Sequence, residues 1–162
     1  MSRNCITATC MLVRDGKVLL LKHIKLGKWL PPGGHVEPNE TPIDALRRET
    51  LEESGYGIRI IDTYSGERPE IHEAGIADEM IRPMAILLER VDLPDGVHNH
   101  FDMIYLALPD GISPQHAESS ESMKWFSPEE AEVLDTYANC KAMVHLAIKE
   151  YGKATTHGHA IS

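Results

Sequence analysis

The sequence predicts a mixed α/β domain built around a single core. Three observations carry that prediction. Apolar, strand-like runs recur along the chain; two segments open with helix-capping signals; and the two kinds of element are interspersed without the regular alternation of a doubly wound parallel sheet. A length of 162 residues suits one domain, and 42% hydrophobic with 25% charged residues is a globular composition. The domain is placed at residues 1–152, and 153–162, small and polar, read as a flexible C-terminal tail.

Residues 6–14 and 17–22 are apolar runs joined by Asp15-Gly16, the dipeptide that a type I′ hairpin turn favours. Lys25 to Lys28 read as a loop, followed by a tightly turned Trp29-Leu30-Pro31-Pro32-Gly33-Gly34. A helix is expected over 42–54: Thr41 caps it, Pro42 takes the first helical position, Asp44 completes a capping box, and Gly55 provides the stop. Residues 57–65, 81–91 and 100–108 read as strands, with a polar loop at 67–79 and a turn around Pro94-Asp95-Gly96. Ser127-Pro128-Glu129-Glu130 is a second capping box, opening a helix of about two to three turns. A last amphipathic helix covers 138–150.

Lys and Arg number 16 against 25 Asp and Glu, a formal charge of −9, which disfavours an extended nucleic-acid surface. No apolar run reaches membrane-spanning length and the N-terminus lacks a secretory pattern, so neither membrane nor export is expected. Cys5, Cys10 and Cys140 form no paired framework, which points to a reducing, cytoplasmic setting. Cys5 and Cys10 face opposite sides of their strand and cannot share a site.

The charge is not spread evenly. Between Glu37 and Glu53 six acids meet only Arg47 and Arg48, a local balance of −4. On the 42–54 helix, Ile43, Leu46 and Thr50 share the core-facing stripe, while Glu49, Glu52 and Glu53 fall within an arc of about 100°. Like charges at these spacings destabilise a helix, and they crowd the end where the dipole disfavours acids. Either this is a solvated acidic face, or it is a cradle for a hard divalent cation such as magnesium or manganese. Arg48 lies close enough on the wheel to brace Glu52 through a forked hydrogen bond or to touch a phosphate.

Residues 34–56, GHVEPNETPIDALRRETLEESGY, resemble the Nudix box, Gly-x5-Glu-x7-Arg-Glu-U-x-Glu-Glu-x-Gly-U with U a bulky apolar residue. Gly34, Glu40, Arg48, Glu49, Glu52, Glu53 and Gly55 match every fixed position. Seven identities at about 6% background usage each would arise by chance roughly once in a million chains of this length. Thr50, where the pattern has an aliphatic, and Tyr56, where a smaller residue is usual, depart from it; Thr50 is expected to bond back to the helix carbonyl four residues earlier. The box covers 23 residues, and the preceding hairpin and the later Trp125-Phe126-Ser127 extend the likeness more loosely.

The resemblance implies an α/β/α sandwich around a mixed sheet and hydrolysis of a diphosphate bond in a nucleoside diphosphate linked to another moiety, with magnesium (Mg2+) or manganese (Mn2+). It implies Glu49, Glu52 and Glu53 as metal-binding carboxylates, the Gly33 carbonyl as a further ligand, Arg48 as the brace and Glu40 as a supporting acid. Glu53 is the first choice of general base, and Glu118 or Glu121 fits the loop glutamate that some members use. Members often form homodimers. The partner is a small-molecule nucleoside diphosphate derivative, whether a nucleoside triphosphate, a modified dNTP or an ADP-ribose-like compound. A non-catalytic nucleotide-sensing module would have lost acids that are present here, and an isoprenoid diphosphate isomerase-like enzyme would need a cysteine beside the box.

For substrate contact, His98, His100 and Asp102 share one strand face, so His100 or Asp102 can line a cleft or can simply end a solvated strand. A second metal site on His98 and His100 is the less favoured reading. Trp29 can stack on a base or serve as a half-buried core aromatic.

Overall fold

Two long strands form the spine of the computed structural model, which describes residues 3–67, 79–93, 96–114 and 122–157. They are β1 (Arg3–Arg14) and β7 (Gly96–Pro109), paired in parallel from Arg3↔His98 to Leu12↔Ala107. Every other pairing is antiparallel. β2 (Lys17–Lys22) folds back on β1 through Asp15-Gly16, both residues at positive φ (51° and 72°), as the type I′ turn requires. β3 (Trp29–Leu30) and β8 (Met123–Phe126) flank β2, and β4 (Gly33–His35) pairs with Thr7 to Thr9 of β1. β5 (Ile58–Ile61) and β6 (Ala85–Leu93) lie along β7.

Helices cover both faces of this mixed sheet. α1 (Pro42–Ser54) packs on one side with Ala45 and Leu46 against Ala8, Cys10, Leu12, Tyr105 and Ala107. α2 (Pro128–Glu132) and α3 (Ala138–His157) lie on the other, where Ala131, Cys140, Val144 and Ala147 meet Met11, Val13, Ile104 and Leu106. The side chains alternate along β1 and β7, so each strand feeds both cores. A fully buried leucine such as Leu46 or Leu106 contributes about 2 kcal/mol of transfer free energy. The mixed α/β class and the layering match the sequence expectation.

Several boundaries differ, for local reasons. β5 stops at Ile61 because the Asp62 carboxylate accepts the Tyr64 N–H at 3.0 Å, turning the chain. β6 starts at Ala85 rather than 81, past Pro83, which has no N–H to give a ladder. β7 begins earlier than expected because its first residues find partners on both β1 and β6. α2 is a short helix, shorter than the two to three turns expected; the Lys141 ammonium takes the Glu132 carbonyl at 2.5 Å, where another turn would have continued. α3 runs to His157, seven residues past the expected end, and takes in the first part of the segment read as a tail. Most of the polar loop read over 67–79, the Pro94-Asp95 turn and residues 158–162 lie outside the described residues.

Candidate functional site

The acidic half of α1 is positioned by both ends of the helix. Thr41 and Asp44 form the reciprocal capping box, with the Thr41 N–H donating to Asp44 Oδ2 at 3.0 Å. At the other end Gly55 sits at φ 74° and donates its N–H to the Leu51 carbonyl at 2.9 Å. Ala45, Leu46, Thr50 and Ser54 form the buried stripe. Thr50 does not bond back along the helix as expected. It is fully buried, and its hydroxyl lies against the Cys10 thiol rather than a helix carbonyl.

With that face fixed, Glu49 and Glu53 turn toward the short strand β4, while Glu52 stays more exposed beside Arg48. The Gly33 N–H donates to Glu53 Oε2 at 3.0 Å. A β-carbon at Gly34 would lie 2.4 Å from Glu49 Oε1, and one at Gly33 would lie 2.4 Å from the Ala8 carbonyl oxygen. Both glycines are therefore required by close approach, Gly34 to the carboxylate and Gly33 to the β1 backbone.

Arg48 ties the cradle together, though not chiefly through the partner the helical wheel suggested. Its guanidinium forks onto Glu40, Nη2 to Oε1 at 2.7 Å and Nε to Oε2 at 3.2 Å, while Nη1 donates to Glu49 Oε1 at 2.7 Å. Glu52 Oε2 lies 3.5 Å away at the edge of ion-pair range, on a side chain that is 60% exposed. The brace thus falls on Glu40 and Glu49 rather than on Glu52. Nη2 also donates to the His35 carbonyl at 3.2 Å, linking α1 to β4. These hydrogen bonds hold the Glu40 carboxyl below its ordinary range, aided by the Glu37 N–H.

Glu53 shifts the other way. Burial pushes its carboxyl up, the Gly33 N–H partly offsets this, and the charges of Glu49 and Glu52 add to the rise. Glu40, Glu49 and Glu52 thus surround one arginine and Glu53 adds a further carboxylate beside them, an arrangement that costs free energy unless another cation joins them. The donor set is all oxygen, which suits a hard divalent cation.

The family profile for the NUDIX domain matches residues 4–145. The chain belongs to the Nudix hydrolase family. Among solved structures it is similar to a hydrolase of the NUDIX family from Clostridium perfringens, with 28% identity, a TM-score of 0.64, and coverage of 89% of this chain and 95% of that one. Shorter matches link it to the Nudix hydrolase YvcI of Bacillus subtilis, 46% identical over 49 residues, and to phosphatase NudJ of Escherichia coli K12, 38% identical over 52. They cover 30% and 31% of this chain, and only 31% of the length of YvcI and 34% of that of NudJ.

In this Nudix chain the other singled-out residues lie mainly across the sheet from α1. Asp102 is buried on the α3 face, accepting from Thr7 Oγ1 and Thr9 Oγ1, both at 2.9 Å. Burial raises its carboxyl, and the two hydroxyls pull it partly back. His98 is also buried, so this end of β7 is not a solvated strand end. His100 packs edge-on to His35 with ring centroids 4.8 Å apart, and burial with the two neighbouring imidazoles lowers its basicity. Trp29 is half-buried, edge-to-face with Phe126 at 5.0 Å, beside the α3-side core. Glu118 and Glu121 lie outside the described residues. The reading from sequence missed Glu89, which accepts from Asn139 of α3 at 2.5 Å and faces Asp102, and the polar partners on β1, Cys5, Thr7 and Thr9. Only strand parity on β1 pointed to that last group. No described helix is long and apolar enough to cross a membrane.

Proposed function

We propose that the chain is a metal-dependent pyrophosphohydrolase acting on a nucleoside diphosphate linked to another moiety, such as a nucleoside triphosphate, a modified dNTP or an ADP-ribose-like compound. The observation that carries this reading is the convergence of Glu49 and Glu53 on the Gly33-Gly34 backbone, with Arg48 bracing Glu49 and lying 3.5 Å from the more exposed Glu52. Magnesium or manganese would be held by these carboxylates with the Gly33 carbonyl. It supplies Lewis acidity toward the diphosphate oxygens and the attacking water.

The chain's own residues do the rest. Arg48 and Glu40 keep Glu49 in place, and the Gly33 N–H orients Glu53. Water attacks phosphorus and the bridging P–O bond breaks, leaving two phosphate-terminated products. Glu53, whose carboxyl is raised by burial, takes the proton from that water. The half-buried aromatic Trp29 is offered as a substrate contact, whereas Asp102 is enclosed by Thr7 and Thr9 and His100 by His35 and His98. The buried thiols Cys10 and Cys140 are free, which fits a reducing cytoplasm.

A substrate panel with magnesium or manganese, read as released phosphate or nucleoside monophosphate, tests the class. A Glu53→Gln variant should fold normally and lose about 10²–10⁴-fold in kcat. Normal turnover by that variant at saturating magnesium would remove Glu53 from its role.

A further inference from the structure

Across β4 from the carboxylate cradle, three strands bring four other side chains to one point. Cys5 on β1, His35 on β4, and His98 and His100 on β7 each present one ligand atom, and the four atoms lie within 4.8 Å of one another. Register produces the cluster. Arg3 pairs with His98, Cys5 with His100 and Thr7 with His35, and alternation puts Cys5, His98 and His100 on the same α3-side face. Cys5 Sγ lies 3.7 Å from His98 Nδ1. The His100 ring meets His35 at 84° and His98 at 75°, so the imidazoles stand edge to face rather than stacked. His100 Nε2 is buried with no hydrogen-bond partner among the described residues. A buried ring nitrogen in that state calls for a partner.

We propose that Cys5, His35, His98 and His100 form a tetrahedral transition-metal site, distinct from the carboxylate cradle, and that zinc is the ion it fits. One thiolate and three imidazoles are donors that zinc takes readily and that magnesium does not. Tetrahedral zinc, with bonds of about 2.0–2.1 Å to nitrogen and 2.3 Å to sulfur, separates its ligand atoms by roughly 3.3–3.6 Å. The Cys5–His98 distance of 3.7 Å already sits at that edge length. A spacing at the 4.8 Å limit needs to close by roughly 1.2–1.5 Å. His35, the exposed member, has the freedom to do so. Four protein ligands leave no open position, so the site is structural: it pins β4 to β1 and β7. Binding releases the Cys5 proton to solvent as the thiolate forms.

Cobalt(II) titration of the chelator-stripped full chain tests this. One equivalent should give the intense visible bands of tetrahedral cobalt together with a near-ultraviolet thiolate-to-cobalt band, and zinc should displace both. Cys5→Ser should remove the thiolate band. His35→Gln, a change at an exposed position that leaves the fold intact, should weaken affinity by about 100-fold or more. Glu53→Gln should leave the spectrum unchanged, which separates this site from the hydrolytic one. A weak octahedral spectrum, a thiolate band surviving Cys5→Ser, or equal affinity in wild type and His35→Gln would overturn the assignment. So would binding traced to the histidines of the C-terminal segment, which carry no thiolate signature.

Discussion

Replacing Gly34 with alanine places a β-carbon where the Glu49 carboxylate now sits. The added carbon would lie 2.4 Å from Oε1, 2.5 Å from Cδ and 2.9 Å from Oε2, whereas ordinary contact begins at 3.4 Å. The carboxylate must therefore retreat by about 1 Å. Because the obstructing atoms are the end of a flexible side chain, the backbone need not move and the fold should survive. The retreat also strains the 2.7 Å bond from Arg48 Nη1. A displacement of about 1 Å in a catalytic array costs on the order of 10²-fold in rate. Gly34→Ala should thus keep its far-ultraviolet dichroism and melt near wild type while kcat with magnesium falls about 100-fold. Gly33→Ala is the control: its β-carbon meets the Ala8 carbonyl oxygen at 2.4 Å and the Thr9 Cα at 2.9 Å, both backbone, so it should lower Tm by unpairing β4. A fully active Gly34→Ala would refute the placement of Glu49 against β4, and a Gly34→Ala that unfolds would refute the claim that only a side chain yields.

Arg48→Lys keeps the charge but cannot fork onto Glu40 while donating to Glu49, so kcat should fall about 10–100-fold with the fold intact, measured by steady-state kinetics beside a melting curve. Magnesium should raise Tm, by the equivalent of about 2.7 kcal/mol at a hundred times its Kd, with EDTA reversing the gain and Glu52→Gln reducing it. The Cys10 thiol, pushed by burial from 9.0 to about 12, gives an alkaline signature. A raised folded value means that its contribution is fully present below pH 9 and is lost as pH rises toward 12. Over that window wild type should lose up to about 1.4 kcal/mol per pH unit relative to Cys10→Ala, read by denaturant unfolding; parallel curves would contradict the burial argument.

What the sequence disclosed was mostly local. The Thr41 and Ser127 capping boxes, the Asp15-Gly16 turn and the acidic arc of α1 each depend on residues within a few positions of one another, and all appear where expected. Arg48 does pair with Glu52 as helix spacing suggests, but its closer partner Glu40 depends on the path of the loop before α1. Asn39 at φ 71° reverses the chain there and delivers Glu40 to the guanidinium. Parity placed His98, His100 and Asp102 on one face, yet could not say what stood opposite. That needed the parallel register of β1 on β7, which joins residues more than ninety positions apart and leaves no trace in either segment alone. Element ends were set by single groups, Pro83, the Asp62 carboxylate and the Lys141 ammonium, whose influence is visible only once neighbours are in place.

Strand β4 is three residues long and is held from both sides: Gly33 by Glu53, Gly34 by contact with Glu49, His35 by the His100 ring. It is too short to bend independently at each end. Any ligand that shifts it at the imidazoles changes the free energy of binding at the carboxylates, and thermodynamic linkage makes the effect reciprocal. If zinc alters magnesium affinity by some factor, magnesium must alter zinc affinity by the same factor, which makes the strand a measurable coupling element between a soft site and a hard one.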